Sequence, residues 1–346
     1  MTAPWWDRER FAAQLPILAA RARIVAAIRR FFAERDFLEV DTPALQISPG
    51  LEPHLMAFTT ELVTPEGARR TLHLHTSPEF AMKKLLVAGL PRIFQLVHVF
   101  RNGERARTHH PEFTMLEWYR ADASYRDLMA DCEALLRAAL AASGGDALRW
   151  AGQSCDPTGA WQYLSVADAF TRFCGIDILA TAPDPQRPSL DLLADASRRI
   201  GVAPHDDDDW EDLFFRLFLA RIEPLLGIDV PTILYDYPIA LAALSRPKPD
   251  DARLAERFEI YVCGLELANA FGELTDAAVQ RARFEADRAR KRVLYGYDYP
   301  LDEDFLAALG HGMPESAGIA LGIDRLVMLA TGATRIEDVL FVPVAE

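Results

Sequence analysis

Apolar residues recur along this chain at two spacings, and each spacing predicts an element. In residues 21–37, Ile24, Val25, Ile28, Phe31 and Phe32 mark one face of a helix. Residues 38–43 alternate as a short strand closed by Pro43, which has no N–H for a ladder and so belongs at a sheet edge or an interface. A long helix feeding an edge strand fits a dimer surface, and fits equally a helix packed on its own sheet. Residues 71–76 alternate again, which leaves His73 and His75 as half-exposed neighbours on one strand face rather than a metal pair. Ser77, Pro78 and Glu79 then read as a helix start: a capping hydroxyl, a first-turn proline and an acid at the positive end of the dipole. The helix itself is expected over 80–88.

An apolar run over 93–100 drops into a charged loop carrying Arg101, Glu104, Arg105, Arg107, His109 and His110, and returns as EFTMLEWY. Strand, cationic loop and strand predict an antiparallel hairpin whose turn holds a ligand. Ser124 and Asp127 form a capping box ahead of a helix over 128–140. Residues 144–249, rich in Pro, Asp and Gly, read as an insertion. Within them Asp206, Asp207, Asp208 and Asp209 read as a solvated turn leading a helix, because no ligand-fixing glycine accompanies them. Residues 257–264 and 265–274 predict two strands joined at Gly264, with Glu259 and Tyr261 on one face. Thr275 is expected to cap a charged helix reaching about residue 294. A glycine-punctuated strand at 318–322 turns into an apolar helix with Arg325 at the junction.

Composition narrows the function. The chain has 346 residues, half of them hydrophobic and a quarter charged, enough for one large α+β domain or two smaller ones of ~150 residues. Its formal net charge of −14 excludes an extended polyphosphate track and leaves room for a local basic pocket. The cysteines at 132, 155, 174 and 263 lack metal or disulfide spacing and suit a reducing compartment. The apolar run at 15–20 is too short for a signal or a span, so a cytoplasmic protein without a membrane partner is expected.

Candidate chemistry collects in three places. Arg101 offers the planar fork that grips phosphate or carboxylate, and Phe113 a flat face for a purine. Glu259 and Glu266, on adjacent strands, can share a magnesium ion already bound to phosphates. Asn269 and Glu273 interrupt an apolar run and point to a pocket. A buried acid there needs a cation, supplied either by a ligand or by a protein arginine.

These stretches, in this order, resemble the three motifs of class II aminoacyl-tRNA synthetases, with Ser-Pro-Glu at 77–79, HHPEFTMLEWY at 109–119, GLELANAFGEL at 264–274 and ALGIDRLVM at 320–328. The likeness spans nearly the whole chain and is nearest the lysyl-type catalytic core. It implies an α+β fold, an antiparallel sheet flanked by helices. Motif 1 begins about twenty residues from the start, so no anticodon-reading OB domain is expected, and residues 1–346 are expected to form one catalytic domain. That shortened form, with Ala320 where lysyl-tRNA synthetases keep a glycine, resembles the elongation factor P (R)-β-lysine ligase family. A single methyl discriminates by only ~1–3 kcal/mol.

The resemblance implies roles residue by residue. Arg101 and Arg325 would be catalytic, with Arg325 and Phe113 sandwiching adenine. Asn102, Gly103, Glu104, His109, His110, Glu266, Leu267 and Gly322 would complete the ATP site. Glu259 and Glu266 would hold magnesium. Ser77, Pro78, Glu79, Tyr119, Asn269, Glu273 and Ala320 would surround the amino acid, with Glu273 and Tyr119 nearest its distal ammonium. Two positions depart from the family: Gly103 replaces a glutamate, so that Glu104 serves instead or the contact is lost, and His110 replaces an asparagine. The expected reaction is ATP-dependent activation of (R)-β-lysine as an adenylate and transfer to a lysine of elongation factor P, by a homodimer that binds neither tRNA nor DNA. The alternatives are a paralogue that activates α-lysine for another acceptor and a non-catalytic synthetase-like binding protein.

Overall fold

The computed structural model describes residues 4–344. In chain order, helix α1 (Arg8–Ala33) leads to β1 (Leu38–Glu39), then to a small sheet of β2 (Leu45–Gln46), β3 (Thr59–Val63) and β4 (Arg69–Leu74). Helix α2 (Glu79–Val87) precedes the hairpin β5 (Arg92–Phe100) and β6 (Glu112–Ala121), and α3 (Tyr125–Ser143) follows it. Residues 144–249 supply β7 (Leu148–Trp150), β8 (Gln153–Cys155), β9 (Gln162–Ser165), α4 (Val166–Cys174), α5 (Leu190–Arg199), α6 (Trp210–Arg221) and β10 (Thr232–Pro238). The chain closes with β11 (Leu254–Val262), β12 (Leu265–Gly272), α7 (Ala277–Tyr295), α8 (Glu303–Gly312), β13 (Ser316–Gly322) and α9 (Ile323–Thr331).

Eight strands form the main sheet in the order β1-β5-β6-β13-β12-β11-β10-β9. Its six inner strands pair antiparallel, as expected, whereas β1–β5 and β9–β10 pair parallel. The fold is α+β. Helices α1, α3 and α9 cover one face, burying Ile24, Ile28, Phe32, Leu128, Leu135, Leu326 and Val327 against Trp118, Ile260 and Ile319. A second core gathers α4 to α6 around Phe170, Phe214 and Leu217, packed on β9 and β10. The segment 144–249 thus contributes both to the main sheet and to a helical layer of its own.

Several local expectations need correction. The first helix starts at Arg8, so the run at 15–20 lies inside a 26-residue helix that is long and apolar enough, by length and composition, to cross a membrane. Its inner residues Leu18, Ile24, Ile28 and Phe32 are packed in the protein core. The edge strand shrinks to two residues at the sheet margin. His73 and His75 are buried, because Tyr299 packs on His73 and β5 covers His75, whose Nε2 donates to the carbonyl of His98. Burial lowers both imidazole pKa values, which favours the neutral form. Pro78 rather than Ser77 occupies the cap of α2, although the Ser77 hydroxyl accepts from the Glu79 N–H at 3.0 Å. Asp276 rather than Thr275 caps α7, since its carboxylate reaches the Ala278 and Val279 N–H groups. In the aspartate run, Asp208 is not solvated: it pairs with Arg216, while Asp209 caps α6.

Candidate active site

The hairpin turn fixes the first group. Arg101 N–H donates to the Pro111 carbonyl, and the Val99–Phe113 rung sets the Arg101 guanidinium 5.2 Å from the Phe113 ring centroid. The Arg101 side chain makes no hydrogen bond to a protein acceptor among the described residues, and its Nε is buried without a partner. A buried N–H without an acceptor is costly unless a ligand supplies one. Gly103 has φ +79°, a left-handed backbone conformation suited to glycine, and Glu104 rather than Gly103 lines the cavity. Arg105 and Arg107 turn away, donating to the carbonyls of Val344 and Thr334.

Arg101 faces a cavity of about 520 Å³ above the sheet. Arg325 enters from the first turn of α9, pinned by the carbonyls of Glu266 and Thr108 and by His109 Nε2 at 2.8 Å. Burial and the Arg325 charge lower the His109 pKa, so the ring is neutral and accepts from Arg325. His110 does not offer a free donor. Its Nδ1 is bonded to the Glu112 carbonyl and its Nε2 accepts from Val344 N–H, while the ring still lines the cavity. Phe113, Glu266, Leu267 and Gly322 line the same wall, whereas Asn102 and Gly103 stand at the exposed turn.

Strand register builds the floor. Asn269, Ala320 and Glu117 lie side by side across β12, β13 and β6, and Phe271, Gly318 and Tyr119 form the next row. Gly318 is required: a Cβ there would collide with the Tyr119 ring and with Glu273 Oε1. Asn269 Oδ1 is buried and unpaired on the cavity wall. Glu117, which sequence reasoning missed, accepts from Ser77 Oγ at 2.6 Å and from Tyr119 OH at 2.8 Å. Lys83, also missed, lies 2.5 Å from Glu79 and 2.5 Å from Glu273. The buried Glu273 therefore has a protein cation, a lysine rather than the arginine considered above. Both signals are present in the sequence: Glu117 is two residues from Tyr119 on one strand face, and Lys83 is four residues from Glu79 on a helix.

Three carboxyl groups, Glu79, Glu117 and Glu273, face a single ammonium. Burial first, and then the charge of Glu79, pushes Glu117 up to about 8. Burial pushes Glu273 up to about 7 against the opposing pull of Lys83. Burial alone would lower Lys83, but Glu273 and Glu79 outweigh it and hold it charged. The floor thus carries three carboxyl groups against one ammonium.

Glu259 sits apart, below the nucleotide end. Arg257 donates to one of its oxygens at 2.6 Å, and Tyr237 and Tyr261 donate to the other at 2.5 and 2.6 Å. Glu266 presents its carboxylate to the cavity, and its pKa is raised by burial and by Glu259. Glu223, a third acid nearby, is pushed up to about 7 by burial and by Glu266 and Glu259. The cluster offers hard carboxylate oxygens of the kind magnesium takes, with Glu266 open to the cavity and 4.0 Å from Arg325, and with Glu259 already bonded through both oxygens.

Comparison with known proteins agrees with this geometry. The chain is 43% identical over 332 residues, 95% of both chains, to the elongation factor P–(R)-β-lysine ligase of Sodalis glossinidius (strain morsitans). It is 42% identical over 340 residues, 96% of both, to the protein of the same name from Proteus mirabilis (strain HI4320). To that from Salmonella arizonae (strain ATCC BAA-731 / CDC346-86 / RSK2980) it is 41% identical over 343 residues, 98% of this chain and 97% of the relative. A family model for the tRNA synthetases class II (D, K and N) matches residues 4–346, and the chain belongs to that family.

Proposed function

We propose that this protein is an ATP-dependent, AMP-forming ligase that activates (R)-β-lysine and transfers it to the ε-amine of a lysine on elongation factor P. The observation that carries the reading is the half-buried Arg101 side chain, whose buried Nε lacks a protein acceptor and which stands between an aromatic face and a floor of three carboxyl groups. The names of the relatives point to the same substrate and acceptor. In the first step the amino-acid carboxylate attacks the α-phosphorus of ATP and pyrophosphate leaves. Arg101 offsets the repulsion between the two anions and stabilises the charge that develops. In the second step the acceptor amine attacks the acyl carbon, the C–N bond forms, the bond from that carbon to the bridging anhydride oxygen breaks so that AMP departs with that oxygen, and the amine proton passes to solvent.

Adenine would rest between Phe113 and Arg325. Glu79, Glu117, Tyr119, Asn269 and Glu273 would set the two ammonium groups, with Lys83 holding Glu79 and Glu273 in place. Ala320 adds a methyl between Asn269 and Glu117, which would crowd the α-isomer. Glu266, with Glu259 behind it, would hold magnesium, which supplies charge neutralisation at the phosphates when bound. We further infer a homodimer built around α1 and β1, where Leu15 and Leu38 are exposed, with Leu45 and Ile47 exposed at and just after β2.

The test is ATP–pyrophosphate exchange with the purified protein and (R)-β-lysine, α-lysine or no amino acid. Exchange that depends on (R)-β-lysine, followed by a mass gain on elongation factor P, is expected. A preference for α-lysine would replace the substrate, and no exchange with either would overturn the activation chemistry.

A further inference from the structure

The cavity does not end at the adenylate site. It continues between α6 and α7, where Glu52, Glu211, Gln280 and Asp287 line it together with Leu241, Leu244, Phe215 and Phe284. Nothing in the activation step uses this arm. Gln280 is only 1% exposed, and neither its amide oxygen nor its amide nitrogen has a hydrogen-bond partner. Glu52 Oε2 is likewise buried without a partner. Two buried, unsatisfied polar side chains on one cavity wall require a ligand that brings donors.

The charges say which donors. The cations facing Asp287, Arg290 and Arg283, are already committed; of the two facing Glu52, Lys291 is committed and Arg101 is the group assigned to the phosphate. Arg290 is bonded to Glu211 and lies 3.0 Å from Asp209, which ties α7 to the start of α6. Arg283 donates to the carbonyls of Ala243 and Ser245 at 2.8 and 2.7 Å. Lys291 donates to the carbonyls of Pro53 and Leu55 at 2.8 and 2.5 Å and so fixes the loop that carries Glu52. Asp287 makes no hydrogen bond or ion pair among the described residues. Burial and its acidic neighbours Glu52 and Glu211 push Asp287 up to about 7, against the opposing pull of Arg290 and Arg283. Glu52 is raised by burial and by Glu79, so it stands where the arm meets the amino-acid floor.

The walls suit a primary ammonium on an aliphatic stem: acids and an amide for the head, leucine and phenylalanine for the methylenes. The free amino acid is accounted for at the closed end beside Lys83. Glu211 and Arg290 keep about a third and a quarter of their side-chain surface exposed, so the arm's far end reaches solvent. We propose that this arm, walled by Glu52, Glu211, Gln280 and Asp287, is the channel that admits and positions the acceptor's lysine side chain for attack on the adenylate. The assignment rests on the ligase reading, since it needs an adenylate at the inner end.

The test separates the two half-reactions on the full chain. Pyrophosphate exchange with (R)-β-lysine reads activation. Aminolysis of the enzyme-bound adenylate by Nα-acetyl-lysine methylamide, followed by mass spectrometry of the amide product, reads the arm. Wild-type aminolysis is expected to saturate with amine concentration. In Asp287→Asn and Gln280→Ala the half-saturating amine concentration is expected to rise about tenfold, the effect of losing one charge-assisted hydrogen bond. The ratio of transfer to exchange should fall with it. Glu211→Gln, at a more exposed site, gives the same readout if a buried variant melts early. Unchanged half-saturation in all three variants, or aminolysis that never saturates in the wild type, overturns the channel while leaving the ligase reading intact. Absence of wild-type exchange with either lysine isomer removes the ligase reading and the channel together.

Discussion

At the scale of single residues, the site sets one arginine without a side-chain acceptor among the described residues beside charges that the protein itself pairs. That arginine is Arg101, and its role depends on the planar fork. Arg101→Lys keeps the charge and loses the paired donors, so exchange should slow by roughly 10²–10³-fold, as for the loss of a transition-state donor. Thermal melting reports whether the fold survives; a loss of activity that tracks a loss of folded protein would refute the assignment. Glu117 and Glu273 bring a pH dependence. With carboxyl pKa values raised to about 8 and about 7, both groups hold protons in the empty site near neutrality. An ammonium ligand favours the ionised carboxylates, so the KM for the amino acid should fall as pH rises from about 6 to about 8. Glu117→Gln should flatten the upper part of that profile. The sign for stability is opposite: a raised carboxyl pKa means that the folded state binds the extra proton, so this cluster's contribution to stability declines as pH climbs from the unfolded value towards 8.

At the scale of elements, the nucleotide end depends on a helix far away in sequence. Arg21 on α1 is bonded to the buried Asp324 in the first turn of α9 and donates to Thr114 Oγ1 at 2.8 Å, while Asp324 accepts from the Thr114 N–H at 2.6 Å. Thr114 follows Phe113, and Asp324 precedes Arg325, so one ion pair aligns both groups assigned to the adenine. Arg21→Ala leaves a carboxylate buried alone, and roughly 3–5 kcal/mol of stability should be lost in denaturant unfolding. A loss below 1 kcal/mol would mean that Asp324 is held by the backbone alone. The hairpin, the α3 capping box and the β13–α9 junction were all legible from periodicity and capping residues. The burial of His73 and His75 was not, because alternation marks two faces and does not say that β5 and Tyr299 cover both residues.

At the scale of the whole molecule, an acid excess surrounds a local cationic site. A net charge of −14 disfavours tRNA, and lysine attachment to tRNA should stay at background where transfer to elongation factor P proceeds. Light scattering of the purified protein should give twice the 38.6 kDa of one chain if α1 and β1 meet a second copy; a monomeric mass would remove that interface.

By itself the sequence determined the class of fold, the order of the motifs and most of the groups that line the nucleotide and amino-acid ends. The separate elements follow from local periodicity and capping chemistry, which neighbouring residues carry between them, whereas the fold class and most site groups follow from the resemblance of the ordered motifs to class II synthetases. Tertiary structure alone decided who pairs with whom. Lys83 reaches Glu273 across 190 positions of chain, and Glu259 is held by two tyrosines as well as by Arg257. His110 is held from both ring nitrogens by its own loop and by Val344. The arm between α6 and α7 exists only because the 144–249 segment folds back against α7 through Arg290. Ion pairing and cavity shape are set by distances in space, and no local pattern in the chain encodes them.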